Sequence, residues 1–341
     1  SGKVRIHPVK LQIRGLRTKE TQTLDRRMMS MRPVRPIVIT TVLTLLVNLV
    51  LAASAGAQQP QRFLRPPPPA GLAVIPFMEG WYGNEDGSVT VSFGYHNRNE
   101  KYVTVEMGES NRIEPPQLDG MQPEIYFPGR HTGVFAVTIP ASLDGETIWW
   151  HIKTGNSEEF KVPGERGSTA YELDRNPRPQ GSVQPVIWFE EGNRGSGPEG
   201  VLSTNTKTVA VGSELIMEVG SEDSSVRDPS NPLFAKPLDT RVMWYKHQGP
   251  GEVKFTEHAS APFMTTEDVS FQGEASLRLM PPAPARMAIP TGNGSVKVIA
   301  TFSESGEYLI RARVDNWVAS DSDGLDQCCW SNAYQRVHVT Q

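Results

Sequence analysis

A chain of 341 residues has the length for two or three domains, each large enough for its own core. Its 34 Lys and Arg and 38 Asp and Glu are unevenly placed: residues 1–57 carry ten basic and two acidic side chains, leaving 24 basic and 36 acidic ones, a net charge of −12, beyond them. That surplus of carboxylates excludes a binder of nucleic-acid phosphates, which needs clustered Lys and Arg to displace counterions, and favours cations or basic or neutral partners.

Residues 1–30 lack an initiator at their start and show no sustained apolar period; they read as an extension from an upstream start or a vector and are set aside from the fold. From Met31, Arg32 and Arg35 precede an apolar run from Ile37 to Ala53 and then small residues, the order of a secretory signal peptide over 31–57. Cleavage after Ala57 satisfies the small-residue rule through Ala55 and Ala57; cleavage after Ala55 does so through Ala53 and Ala55. The competing reading is a retained anchor, against which Thr40, Thr41, Thr44 and Asn48 lower the apolarity of a short run. Residues 58–70 follow as a spacer whose Pro66 to Pro69 favour a stiff polyproline helix.

Residues 71–165 alternate short β-rich runs with turn residues. AVIPFMEGWY and SVTVSFGYHN flank Asn84, Asp86 and Gly87 as a hairpin, with Val89, Val91, Phe93 and Tyr95 on one face. KYVTVEM, GVFAVTIP, TIWWHIK and EEFKVP supply further strands, about seven in all at sandwich spacing. Residues 166–185, with Pro177, Pro179 and Gly181 and few apolar groups, read as a linker. In residues 186–341 strands are expected at VIWFE, SELIMEV, TRVMWYKH, VKFTE, SVKVIATF, EYLIRARV and AYQRVHVT. Two polar or Pro-rich insertions, Gly220 to Asp239 and about His258 to Gly294, read as long loops.

RVMWYKHQGPGEVKF, ATFSESGEYLIRARVDN and AYQRVHVT resemble the PKD-like and REJ-like branch of immunoglobulin-like modules. Trp244, Lys246, Gly249 and Pro250 match its W-x-K-x-x-G-P pattern, and Phe302, Gly306 and Tyr308 its F-x-x-x-G-x-Y pattern. The resemblance covers about half of the second domain; the insertions and the cysteine pair depart from it. The first domain resembles immunoglobulin or fibronectin type III sandwiches in general. The fold class that follows is all-β, two tandem immunoglobulin-like β-sandwich domains behind a signal peptide, and the resemblance implies an extracellular spacer, adhesion or ligand-presenting role. Independently of the name, Trp244 is expected between the sheets, Gly249-Pro250 in a turn, and Tyr308 at a strand corner with its hydroxyl on backbone.

DSDGLDQCCW, Asp321 to Trp330, holds both cysteines of the chain. Oxidation is expected in an exported protein, yet adjacent Cα atoms about 3.8 Å apart fall below the usual disulfide range. A Cys328–Cys329 bond beside Trp330, one buried and one exposed thiol, and an intermolecular bond all remain open. Asp321, Asp323 and Asp326 around Gly324, joined by Asp223 and Glu222 from the loop at the same pole, form a candidate calcium site; a solvated acidic turn is the plainer alternative. No other cofactor is expected. Trp149 and Trp150 must point to opposite faces of their strand, and Trp81 with Tyr82 repeats the pattern, so Trp81 and Trp150 are candidate exposed aromatics for stacking on sugar rings.

No nucleophile elbow, zinc motif or phosphate loop occurs, and the histidines are scattered singly. Asn293-Gly-Ser is a formal glycosylation sequon. The reading is an exported, periplasmic or secreted, non-enzymatic binding, adhesion or structural module with the acidic Cys-Cys-Trp loop as its interaction pole. The alternative is a carbohydrate-binding accessory protein using an aromatic of the first domain. A protein or glycan at the cell surface or in the periplasm is the expected partner, with no nucleic acid and no membrane contact except through an uncleaved signal segment.

Overall fold

The computed structural model describes residues 71–143, 145–173, 178–264, 285–322 and 328–341. The stretches read as an extension, a signal peptide and a proline spacer lie outside them, as do Asp323 and Asp326. The described residues are all-β, with only short 3-10 turns besides strands, and none of their helices is long and apolar enough to cross a membrane.

Eight strands make the first sandwich: β1 (Val74–Gly83), β2 (Val89–Asn97), β3 (Val103–Thr104), β4 (Asn111–Glu114), β5 (Ile125–Tyr126), β6 (Gly129–Ile139), β7 (Ile148–Ile152) and β8 (Phe160–Gly164). One sheet runs β1-β2-β6, the facing one β4-β7-β8, and β3 pairs with β5 in a small ladder. The hairpin expected at the start is present. Its turn closes through Asn84 N–H to Ser88 O (2.9 Å) and Gly87 N–H to Asn84 O (3.0 Å), with Gly87 at φ 83° where a side chain would be strained. Val89, Val91, Phe93 and Tyr95 all enter the core. Alternation along β7 turns Ile148, Trp150 and Ile152 inward, where Trp150 meets Phe135 edge-on at 4.9 Å and donates from Nε1 to Asn111 Oδ1 at 3.1 Å. β4 and β5 were not expected. β4 is polar in sequence, and what holds it inside is the buried Asn111 amide, which donates to Val105 O and Pro123 O.

The second sandwich contains β9 (Val186–Glu190), β10 (Asn193–Gly195), β11 (Val201–Leu202), β12 (Lys207–Ala210), β13 (Leu215–Glu222), β14 (Thr240–Gln248), β15 (Val253–Glu257), β16 (Ala285–Ile289), β17 (Asn293–Phe302), β18 (Gly306–Asp315) and β19 (Trp330–Thr340). One sheet runs β10-β9-β13-β17-β15. The other runs β11-β19-β18-β14-β16, with β12 also paired to β19, and both β11 and β12 lie parallel to β19. Trp244 is fully buried between the sheets, 6.2 Å from Phe255 and 6.1 Å from Phe189, and the Tyr308 hydroxyl donates to Glu304 O at 2.8 Å, as expected. The stretch read as one loop from His258 to Gly294 instead contains β16, whose Ala285, Met287 and Ile289 point inward beside β14. Three apolar residues within a proline-rich stretch give too little periodicity to mark a strand without its partner.

Candidate functional site

The two sandwiches meet along a seam built from outward-facing side chains of β14, β18 and β19. On β18, Tyr308, Ile310, Ala312 and Val314 enter the second core, while Leu309, Arg311, Arg313 and Asp315 point the other way; all eight are buried. Arg311 Nη1 donates to Gly133 O (3.2 Å) and to Val134 O, Arg313 Nη1 to Thr132 O (2.8 Å), and Asn332 Nδ2 to Gly133 O (3.1 Å). These acceptors are successive carbonyls of β6, an edge strand that would otherwise leave them unpaired.

Two bulges present them. Between the pairs Phe93↔Phe135 and Tyr95↔His131, β6 carries two more residues than β2, and the excess turns at Gly133 with φ 58°. In β1 the extra residue is Glu79, between Met78↔Phe93 and Gly80↔Ser92. Its carboxylate accepts from Gly133 N–H (2.9 and 2.8 Å) and from Ser92 Oγ (2.7 Å). Burial raises the Glu79 pKa, while those hydrogen bonds and the Arg313 and Arg130 charges pull against it. Beside the seam, and within the second sandwich, Asp315 accepts two bonds from Arg241, Nε at 3.1 Å and Nη2 at 2.7 Å, and lies 3.7 Å from Arg313 Nε.

A second set of contacts joins the end of β14 to the segment before β5. Glu124 N–H donates to His247 O (2.9 Å), Gln248 Nε2 to Gly120 O (3.0 Å) and Gln122 O (2.8 Å), and Gly249 N–H to the Glu124 carboxylate (2.8 Å). Farther along, the Tyr82 hydroxyl donates to Glu199. Burial pushes Glu199 up to about 7 and holds His131 and His247 down to about 3.

The histidine contribution to stability is present above about 6.5, the ordinary histidine value, and is lost as pH falls toward 3, because the unfolded chain takes up protons that the folded one refuses. Glu199 has the opposite sign. The folded chain keeps its proton up to about 7 and the unfolded one loses it near 4.5, so this stabilisation fades as pH rises through that window. Glu199→Gln stays neutral throughout. Its Tm should match wild type near pH 4.5 and exceed it by on the order of 5 °C at pH 8, in thermal scans at several pH values. A difference independent of pH contradicts the burial argument.

Of the loop expected to be an interaction pole, the structure describes Asp321, Ser322 and Cys328 to Trp330. Cys328 and Cys329 form a disulfide with Cα atoms 3.2 Å apart across a cis peptide, closer than the trans spacing assumed from sequence, and both are buried. Trp330 is 3% exposed, its indole against Gly133 of the first sandwich. It is a seam residue rather than a surface anchor, because the outer face of β19 is covered from Trp330 to Tyr334. Asp321 and Asp223 do come to the same end of the second sandwich, joined through Ser182 and Arg227. Asp321 accepts from Ser182 Oγ (2.6 Å) and from the N–H groups of Gln180 (3.0 Å) and Ser182 (3.3 Å). Arg227 reaches Ser182 Oγ (3.0 Å) and Asp223 (2.8 Å), and Asp223 also accepts from Ser225 and Asn316. Protein donors therefore already engage the three carboxylates of the candidate calcium set that the structure describes, Glu222 through Arg194 at 2.7 Å. Among the described residues no group of three or more His, Cys, Asp or Glu is arranged to hold a metal ion.

The aromatic candidates are also corrected. Trp150 is 0% exposed in the first core, and Trp81 is buried with Nε1 donating to Ser168 O (3.2 Å), so neither ring is available to a sugar. The outward member of the pair is Trp149, half-buried beneath Lys161 at 4.4 Å. Beside it on the same sheet face, Arg112 bridges Glu114 (3.1 Å) and Glu159 (2.8 Å), and His151 Nδ1 lies 2.9 Å from Glu159. The segment read as a linker is held down at both ends: Leu173 N–H donates to Trp81 O (2.8 Å), and Ser331 Oγ to Pro185 O (2.6 Å). Sequence reading missed Arg311, Arg313 and Gly133 as joint residues. Arginines alternating with apolar residues on β18 look like an ordinary solvent face until the first sandwich covers them.

No protein-family model matches this chain, and no curated protein matches it. Among solved structures it is similar to the D0-D1 domain of intimin, with 10% identity, 78% of this chain and 100% of that chain covered, and a TM-score of 0.22. It is also similar to the Yersinia pseudotuberculosis adhesin InvE, with 8% identity, 78% and 58% covered, and a TM-score of 0.23. For the collagen adhesin of S. aureus the identity is 12%, the coverage 79% and 92%, and the TM-score 0.18.

Proposed function

We propose that the chain is an exported, non-enzymatic binding module whose two immunoglobulin-like sandwiches act as one rigid unit, presenting loops and strand edges to a partner at the cell surface or in the periplasm. The observation that carries this is the seam. Buried, directional bonds from Arg311, Arg313 and Asn332 to three successive carbonyls fix the orientation of one sandwich on the other, as a scaffold that must hold separated surfaces in register requires. The signal-like order over 31–57 and the acidic balance beyond it support export and a non-nucleic-acid partner. The test is binding of the fluorescently labelled exported protein to envelopes of the cells that produce it. Saturable binding, competed by unlabelled protein, is expected; linear, uncompeted uptake overturns the reading.

A second reading, carbohydrate binding, is favoured by Trp149 beside Arg112, Glu114, His151 and Glu159, an aromatic ring next to side chains able to bond hydroxyls. It expects signal on a glycan array that falls at least about tenfold in Trp149→Ala, as removal of a stacking ring at the centre of a site does. Trp150→Ala does not test it, since that change opens the core.

A further inference from the structure

Resting on the binding-module reading, we propose that a groove along the open side of β3 takes an extended, basic and apolar segment of a partner protein. The groove begins at the seam as a hollow of 190 Å³ lined by Tyr102, Thr104, Ile125 and Phe127 from the first sandwich and by Lys246 and Val253 from the second. Tyr102 is 51% exposed, its ring 6.4 Å from Phe127, which packs in turn 5.8 Å from Tyr245 of β14. Seam contacts thus hold the base of an aromatic shelf whose outer ring faces solvent.

Thr104 also lines the next hollow, of 480 Å³, so the two adjoin at this residue of β3. Its walls carry Glu106, Glu109 and Lys153 with the exposed Met107, and a hollow alongside adds Glu158 and Glu159. Glu106, Glu109 and Glu158 against Lys153, with Glu159 already bridged by Arg112, still make this end attractive to Lys or Arg, in keeping with the −12 charge beyond residue 57.

Two strand edges border the aromatic end. Val105 N–H bonds Glu124 O (2.8 Å), so alternation turns the backbone groups of Thr104 away from β5. Ser303 N–H bonds Glu252 O (3.0 Å), which turns those of Val253 away from β17 on the last strand of its sheet. Among the described residues no strand pairs with either free side. Open backbone groups, an aromatic shelf for one side chain and carboxylates for its neighbours are the elements of recognition by strand addition.

The probe is a phage-displayed library of random peptides of about twelve residues, selected on the exported protein, with a glycan array in parallel. Selected peptides should pair an apolar residue with Lys or Arg. Their synthetic copies should bind at least about tenfold more weakly to Tyr102→Ala, to Glu106→Lys/Glu109→Lys and to Thr104→Pro, which removes the free N–H. The first two variants alter exposed side chains and should keep the wild-type Tm, so the proposal remains testable even where Thr104→Pro fails to fold. Acidic peptides, peptides insensitive to Tyr102→Ala and the charge reversal, an empty selection, or glycan binding lost in Tyr102→Ala each overturn it. If saturable envelope binding persists in those cases, the groove is wrong and the binding module stands; if that is absent too, both fall.

Discussion

Asp315→Ala should destabilise the protein by about 3–5 kcal/mol, the usual cost of removing one partner of a buried ion pair. Asp315 accepts two bonds from Arg241 and faces Arg313 at 3.7 Å, and all three side chains are buried at the seam. Its loss takes from the buried Arg241 and Arg313 the carboxylate that both of them face. Chemical denaturation should then change in form as well as midpoint: wild type is expected to unfold in one transition, and the variant in two, as the sandwiches lose their mutual orientation. Asp315→Leu combined with Arg241→Met should recover part of the loss, because the Arg241 charge goes with its partner and only Arg313 is left without this carboxylate. A cost below about 1 kcal/mol for Asp315→Ala, the range of exposed pairs, would contradict the burial on which the rigid-unit reading depends.

Gly133→Ala should be the most damaging methyl group that can be added to the first sandwich. A Cβ there would lie 2.1 Å from Trp330 Nε1, and the residue stands at φ 58°, where alanine is strained. Overpacking and backbone strain together are expected to cost about 2–4 kcal/mol. The same peptide also gives its N–H to Glu79 and its carbonyl to Arg311 and Asn332, so a shift that relieves the clash pulls on all three. A double-mutant cycle separates these effects. Trp330→Ala should cost less in the Gly133→Ala background than in wild type, since it removes the atom that the methyl group strikes. Additive costs would place the damage in the backbone alone and deny that Trp330 packs on this glycine.

The longest strands were legible because each carries a strong local pattern. Val89, Val91, Phe93 and Tyr95 alternate cleanly beside a turn with Gly87, and Trp244 and Tyr308 occupy the core and corner positions that their spacing implies. β4 and β16 were not legible. The first is held by the amide of Asn111 and the second by its pairing with β14, and neither interaction has a signature in its own few residues. For the site, Asp223 and Asp321 lie at one end of the second sandwich, joined through Ser182 and Arg227, while Trp330 packs against Gly133. Asp, Cys and Trp in a loop look the same whether the loop faces water or another domain. The choice between Trp149 and Trp150 depended on which face of β7 met Phe93 and Phe135, a matter of register that two adjacent tryptophans leave undecided.

The sequence by itself therefore determined that this is an all-β chain, where its main strands lie, and that its charge beyond the first 57 residues is acidic, since periodicity, turn chemistry and composition are local properties. Only the tertiary structure decided that Arg311, Arg313, Asp315 and Trp330 are interior, and that Arg311, Arg313 and Trp330 stand against the first sandwich. An outward-facing residue is solvated or buried according to what docks on its sheet. That partner lies more than a hundred residues away in the chain, bonded to carbonyls whose availability follows from two bulges rather than from any side chain.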